Sequence, residues 1–85
     1  MEKTLQDMAA GEKGRVAGYV KANKIYREKL LSMGLTRGTE FIVQRIAPMG
    51  DPVEIHVRGF SLSVRKSEAS ALIIEKTIRI GDEIS

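Results

Sequence analysis

The sequence has no cysteine and a single histidine, His56. The first absence excludes disulfide staples, thiolate metal sites and a cysteine nucleophile. The second leaves any imidazole chemistry resting on one residue. Aromatic side chains are also scarce: Tyr19, Tyr26, Phe41 and Phe60 are too few and too core-like in spacing to form a base-stacking platform. No apolar run approaches the roughly 18 residues that a membrane helix needs. Behind Lys3 there is no apolar stretch, so no secretory signal is expected and the chain reads as cytoplasmic.

What is present fits one small folded unit. Eighty-five residues, 42% of them hydrophobic and 29% charged, suit a single globular domain that must rely on its apolar core for want of staples. Fourteen basic against eleven acidic residues give a net charge of +3. That bias is compatible with nucleic acid without requiring it, and the basic residues are scattered rather than blocked.

Thr4-Leu5-Gln6-Asp7 has the spacing of a helical cap, and predicts a single opening turn. Gly11-Glu12-Lys13-Gly14 reads as a turn; it lacks the Gly-x-x-x-x-Gly-Lys-Ser/Thr spacing that cradles phosphate. A first strand is expected over Arg15 to Val20, with Gly18 in its middle marking a bulge or a close backbone approach. Asn23 to Met33 predicts the one substantial helix, capped by Asn23, with Tyr26, Leu30 and Met33 on one face. Gly34 is placed for a left-handed stop, and Leu35 for the apolar contact that accompanies it.

Thr39 to Ala47 is strongly β-prone, and the Pro/Gly-rich stretch from Ala47 to Pro52 is a loop. Val53 to Arg58 alternates without a fault: Val53, Ile55 and Val57 face one way, Glu54, His56 and Arg58 the other. Gly59-Phe60 is the expected hairpin turn, leading to a strand over Ser61 to Arg65. A short helical turn over Lys66 to Ala71 and a last strand over Leu72 to Glu75 complete the pattern. Thr77 to Ser85 reads as a flexible tail, which leaves residues 1–76 as the domain.

The fold class expected is therefore mainly β: a small five-stranded closed barrel, with one helix between the first and second strands and a helical turn before the last. Its core should comprise Leu5, Met8, Val16, Tyr26, Leu30, Met33, Phe41, Val43, Val53, Ile55, Val57, Leu62, Val64, Leu72 and Ile74.

No nucleophile–base pair can be drawn around His56, so an enzyme is not expected. His56 reads as a solvated surface residue, with Glu54 two positions away on the same strand face. The two would supply only two metal ligands where transition metals take three or four. No cofactor is implied. Two apolar residues fit the core badly. Leu31 falls between Lys24 and Arg27 on the helix, away from the Tyr26–Leu30–Met33 face, and Met49 sits in the Pro/Gly loop. Lys24, Arg27, Leu31 and Met49 are thus the candidate partner-binding residues.

The order of these pieces resembles the FeoA family, ferrous iron transport protein A. The likeness runs through Thr4-Leu5-x-Asp7-Met8, Gly11-Glu12-Lys13-Gly14-Arg15-Val16 and Leu30-Leu31-x-Met33-Gly34-Leu35-Thr36-x-Gly38-Thr39. It continues through Ala47-Pro48-Met49-Gly50-Asp51-Pro52, Val57-Arg58-Gly59-Phe60-x-Leu62-Ser63-Val64-Arg65 and Ser67-Glu68-Ala69, covering residues 4 to 76 in order. The resemblance implies an SH3-like barrel serving as a cytoplasmic accessory to a FeoB-type ferrous iron permease, whose cytoplasmic region with its GTP-binding domain would be the partner. It brings no catalytic residues with it. The same barrel serves iron-dependent repressors as a C-terminal domain, so a metal-responsive role and a small nucleic-acid-binding barrel are the alternatives.

Overall fold

A computed structural model describes residues 3–21 and 24–77 of the chain. The expected Asn23 cap and the tail from residue 78 lie outside the described residues. One sheet of six antiparallel strands carries the fold: β1 (Lys3–Thr4), β2 (Lys13–Tyr19), β3 (Glu40–Ile46), β4 (Val53–Val57), β5 (Phe60–Val64) and β6 (Leu72–Lys76). The strand order is β1-β6-β2-β3-β4-β5. Helix α1 (Lys24–Ser32) joins β2 to β3, and the short α2 (Lys66–Ala69) precedes β6.

The mainly β class is as expected, with one strand more than the pattern predicts. Two-residue β1 pairs with β6 through Lys3↔Ile74 and Thr4↔Ile73, and a segment so short leaves no alternation to detect. It shifts α1 to the interval between the second and third strands. Among the described residues β1 and β5 form the two ends of the ladder and do not pair with each other. The sheet nevertheless wraps one core, since buried side chains from β2, β3, β4, β5 and β6 belong to a single cluster. Within it Leu5, Leu30, Ile55, Val64 and Leu72 are fully enclosed. Tyr26, Met33 and Leu62, expected in the core, are only partly buried at its edge, whereas Leu35, Ala69 and Ala71 are buried within it.

Local chemistry explains the junctions. Asp7 Oδ2 accepts the backbone N–H of Thr4 at 2.9 Å, which starts a 3-10 turn over Leu5–Asp7. Helix α1 stops in a Schellman motif: Leu35 N–H donates to the Leu30 carbonyl at 3.0 Å and Gly34 N–H to that of Leu31 at 3.0 Å. Gly34 takes φ +91° to allow this, and Leu35 falls into the core.

The β4–β5 turn is one residue earlier than expected. Arg58 and Gly59 both have positive φ, as a two-residue type I′ turn needs, and Val57 pairs with Phe60 across it. Phe60 is therefore the first residue of β5. Strand β2 begins two residues early, at Lys13, so Gly14 belongs to the ladder and not to a turn. The break expected at Gly18 is present as a register shift between Val16 and Gly18 against β6.

Candidate partner-binding surface

Three connections build a cationic cleft at the end of β2. The strand delivers Tyr19 and then Lys21; α1 delivers Lys24 and Arg27 from its first turn; the turn after α1 delivers Arg37. That turn is fastened to β2 by two hydrogen bonds, Gly38 N–H to the Val16 carbonyl at 2.8 Å and Val16 N–H to the Thr39 carbonyl at 2.9 Å. Arg37 consequently lies beside Gly18, its guanidinium 3.7 Å from where a Cβ would sit. The cleft has a volume of about 270 Å³, and four of its six lining residues are basic.

Tyr19 fixes its wall. The phenol donates to the Leu35 carbonyl at 2.6 Å, which ties the end of β2 to the exit of α1. Arg27 lies over the ring, with its guanidinium carbon 5.9 Å from the centroid. Partial burial pushes the Tyr19 phenol above its ordinary value, while the charges of Arg37 and Arg27 pull the other way.

Of the residues named from sequence, the structure brings Lys24 and Arg27 together in this cleft. Leu31 shares their helix and is 38% exposed, yet it does not line the cleft. Met49 stands at 91% exposure on the β3–β4 loop, at φ +68°. Ile25, 81% exposed on α1, was not singled out by periodicity. Tyr19, Lys21 and Arg37 were also missed. Arg37 is distant in sequence from Tyr19 and Lys21, and the fastening of residues 38 and 39 to Val16, with the Tyr19–Leu35 hydrogen bond, makes them neighbours.

Glu54 and His56 behave differently from a solvated pair. β4 lies between β3 and β5, so its outward face is flanked on both sides. His56 is cross-strand from Ile42 and Ser61, is half-buried, and keeps a buried Nδ1 with no hydrogen-bond partner. The reading of His56 as a freely solvated residue is corrected accordingly. Glu54 meets Arg45 at 3.7 Å. Among the described residues no group of three His, Asp or Glu side chains is arranged to hold a metal ion. No described helix is long and apolar enough to cross a membrane. Of the aromatic residues, Phe41 is buried, Tyr19 and Tyr26 pack against the core, and Phe60 alone is exposed.

Comparison with known proteins places this architecture. A solution structure of a FeoA-like protein from Clostridium acetobutylicum is 38% identical with a TM-score of 0.82, over 92% of this chain and 90% of that one. The zinc complex of FeoA from Stenotrophomonas maltophilia, described as a prokaryotic SH3 domain protein, shares the fold at 22% identity and a TM-score of 0.72. That match covers 86% of this chain and 89% of the other. A fusion protein of Fe(2+) transport protein A and the Fe(2+) transporter FeoB from Porphyromonas gingivalis is 29% identical over 56 residues. Those residues are 66% of this chain but only 7% of the fusion's length. The FeoA domain model matches residues 3–76, and the chain belongs to the FeoA domain family, which is associated with ferrous iron transport.

Proposed function

We propose that this domain is a binding accessory of ferrous iron uptake, and that its partner is the cytoplasmic, GTP-binding region of a FeoB-type permease. The observation that carries the reading is the Porphyromonas gingivalis fusion, in which a relative of this chain is covalently joined to the transporter. Fusion keeps two modules at high effective concentration, an arrangement that suits partners meeting repeatedly. The chemistry of the surface agrees with binding. The apolar inventory fills the core, the exposed large apolar side chains are Ile25 and Leu31 on α1, Met49 on the β3–β4 loop and Phe60 at the start of β5, and the basic cleft offers charge without a nucleophile–base pair.

The test is calorimetric titration of the domain into the permease's cytoplasmic region, with guanine nucleotide absent and then present. Saturable one-to-one binding in either condition supports the reading. Heats no larger than dilution in both conditions would refute it. Binding to duplex or single-stranded nucleic acid that falls steeply with salt would instead favour the phosphate-binding alternative.

A further inference from the structure

Lys21, Lys24, Arg27 and Arg37 converge on one cleft, and none has an ion-pair partner among the described residues. Arg15, Lys29, Arg45 and Lys76, by contrast, meet Glu75, Glu68, Glu54 and Glu12 across neighbouring elements. What sets the cleft apart is that its four cations, unpaired among the described residues, share one hollow. Four like charges held together without a counter-ion repel one another, and an anion that neutralises them is bound with that repulsion relieved. The two arginines add planar donor forks that match carboxylate geometry.

The cleft does not end at the charges. It runs on along β2 into an adjoining hollow that shares Tyr19, Val20, Lys21 and Arg37 and adds Ala17, Gly18 and Ile73. Ala17, Val20 and Ile73 are half-buried apolar residues, so one groove has a cationic end and an apolar end. Its floor is kept low by Gly18. This glycine does not need a positive φ, and an added Cβ would meet only the Arg37 guanidinium, at 3.7 Å. Its missing side chain therefore leaves space in the groove and is not required by the backbone.

We propose that this groove docks an extended acidic segment of a partner protein, with carboxylates against Lys21, Lys24, Arg27 and Arg37 and an apolar side chain against Ala17, Val20 and Ile73. A small oxyanion would use the cationic end alone and leave the apolar half without a role; a peptide uses both. The groove proposal rests on the partner reading above only for the identity of the segment's owner.

The experiment is a backbone-amide NMR titration at low salt with a synthetic peptide, acetyl-Glu-Asp-Leu-Glu-Glu-amide. Saturable shifts confined to residues 17–21, the first turns of α1 and Arg37 are expected. Lys24→Glu with Arg27→Glu should weaken binding by about tenfold or more, and more so at low than at high salt. Gly18→Val should block the groove while leaving the rest of the spectrum folded. Scattered shifts, or none that saturate, would overturn the proposal. So would inorganic phosphate reproducing the same shifts with similar affinity, or a Leu-to-Ser peptide binding as well as the original.

The same variants are then titrated into the permease's cytoplasmic region. Binding there that survives Lys24→Glu/Arg27→Glu overturns the groove proposal and leaves the partner reading standing. A peptide that saturates the groove while the permease region fails to bind removes the partner reading and leaves the groove.

Discussion

The carboxylate of Glu68 is held between the ammonium of Lys29 and the backbone N–H of Arg65, the latter at 3.0 Å, so that a single buried acid ties α1 to α2. Glu68 is 3% exposed, whereas the Lys29 side chain is more than half exposed. An ionised carboxylate out of water needs its partners, and loss of either leaves a desolvated charge. Lys29→Met is expected to destabilise the fold by about 1–3 kcal/mol, less than a fully enclosed pair because solvent screens the lysine. A double-mutant cycle with Glu68→Gln, followed by urea denaturation, checks this. Coupling below about 0.3 kcal/mol would show that the pair acts independently.

Tyr19 gives a signature at high pH. Its phenol is raised above its ordinary value of 10.0, first by burial, with Arg37 and Arg27 offsetting part of the effect. The neutral form is the one the fold favours and the one that can donate to the Leu35 carbonyl. Its contribution is complete below the unfolded value near 10 and is lost as pH rises through the higher folded value. In a Tyr26→Phe background, phenolate absorbance should therefore rise later in the folded protein than in urea. Tyr19→Phe should remove the step and cost about 0.5–1.5 kcal/mol through the lost hydrogen bond.

The sheet, its core and the stop of α1 were legible because each leaves a local trace. Val53, Ile55 and Val57 alternate with Glu54 and His56, and Gly34-Leu35 follows the last helical turn. What was not legible is produced by long-range contact. His56 reads as surface from its own strand, and its buried Nδ1 comes from the flanking strands. The cleft escaped the same way: Lys24 and Arg27 were candidates by helical spacing, but Tyr19 and Arg37 join them only through the fold. Leu31 was found as an off-face residue and stays outside the cleft, so spacing identified an exposed apolar residue without its neighbours.

Glu12 gives the matching signature at low pH. Its carboxylate accepts the Ala9 backbone N–H at 2.7 Å and the Lys76 ammonium at 3.1 Å, bridging the turn before β2 to the end of β6. The backbone hydrogen bond from Ala9, then that from Lys76, lowers its pKa from the ordinary 4.5. A lowered acid stabilises the fold above its unfolded value, and that contribution disappears as pH falls through the folded value. Carbon-13 titration should show the Glu12 carboxyl ionising below its ordinary value of 4.5. Glu12→Gln should flatten the dependence of stability on pH in this acidic window, and an unchanged profile would mean the bridge contributes nothing.

Gly14 is a packing glycine inside β2. A Cβ there would sit 2.9 Å from Phe41 Cζ, 3.1 Å from Met8 Cε and 3.2 Å from the Glu75 carbonyl oxygen. The methionine tip can swing away, but the carbonyl belongs to the β2–β6 ladder and the ring is in the core. Gly14→Ala is expected to destabilise by about 1–3 kcal/mol, the usual consequence of overpacking, and Gly14→Val by more. Gly18→Val, on the same strand, where a Cβ meets only the flexible Arg37 guanidinium at 3.7 Å, should cost clearly less. Thermal denaturation of the two valine variants checks the order, and equal losses would show that strand glycine alone, not crowding, sets the effect.

Leu31 tests whether the partner surface extends beyond the cationic cleft. It is 38% exposed on α1, the helix that carries Lys24 and Arg27. Apolar side chains bordered by basic ones are common anchors at protein interfaces, where removing the anchor raises the dissociation rate. Partial exposure means that Leu31→Ala removes only part of a buried contact, so folding stability should fall by less than about 1 kcal/mol. If Leu31 meets the partner, affinity for the permease's cytoplasmic region should fall by more than about 1 kcal/mol, roughly fivefold. Arg27→Glu should act differently, mainly on the association rate and in a salt-dependent way. Denaturation and binding kinetics on both variants separate the roles. A Leu31→Ala protein that loses about 2–5 kcal/mol of folding stability would assign the residue to the core. One that is stable yet binds like the wild type would confine the partner contact to the groove and its charges.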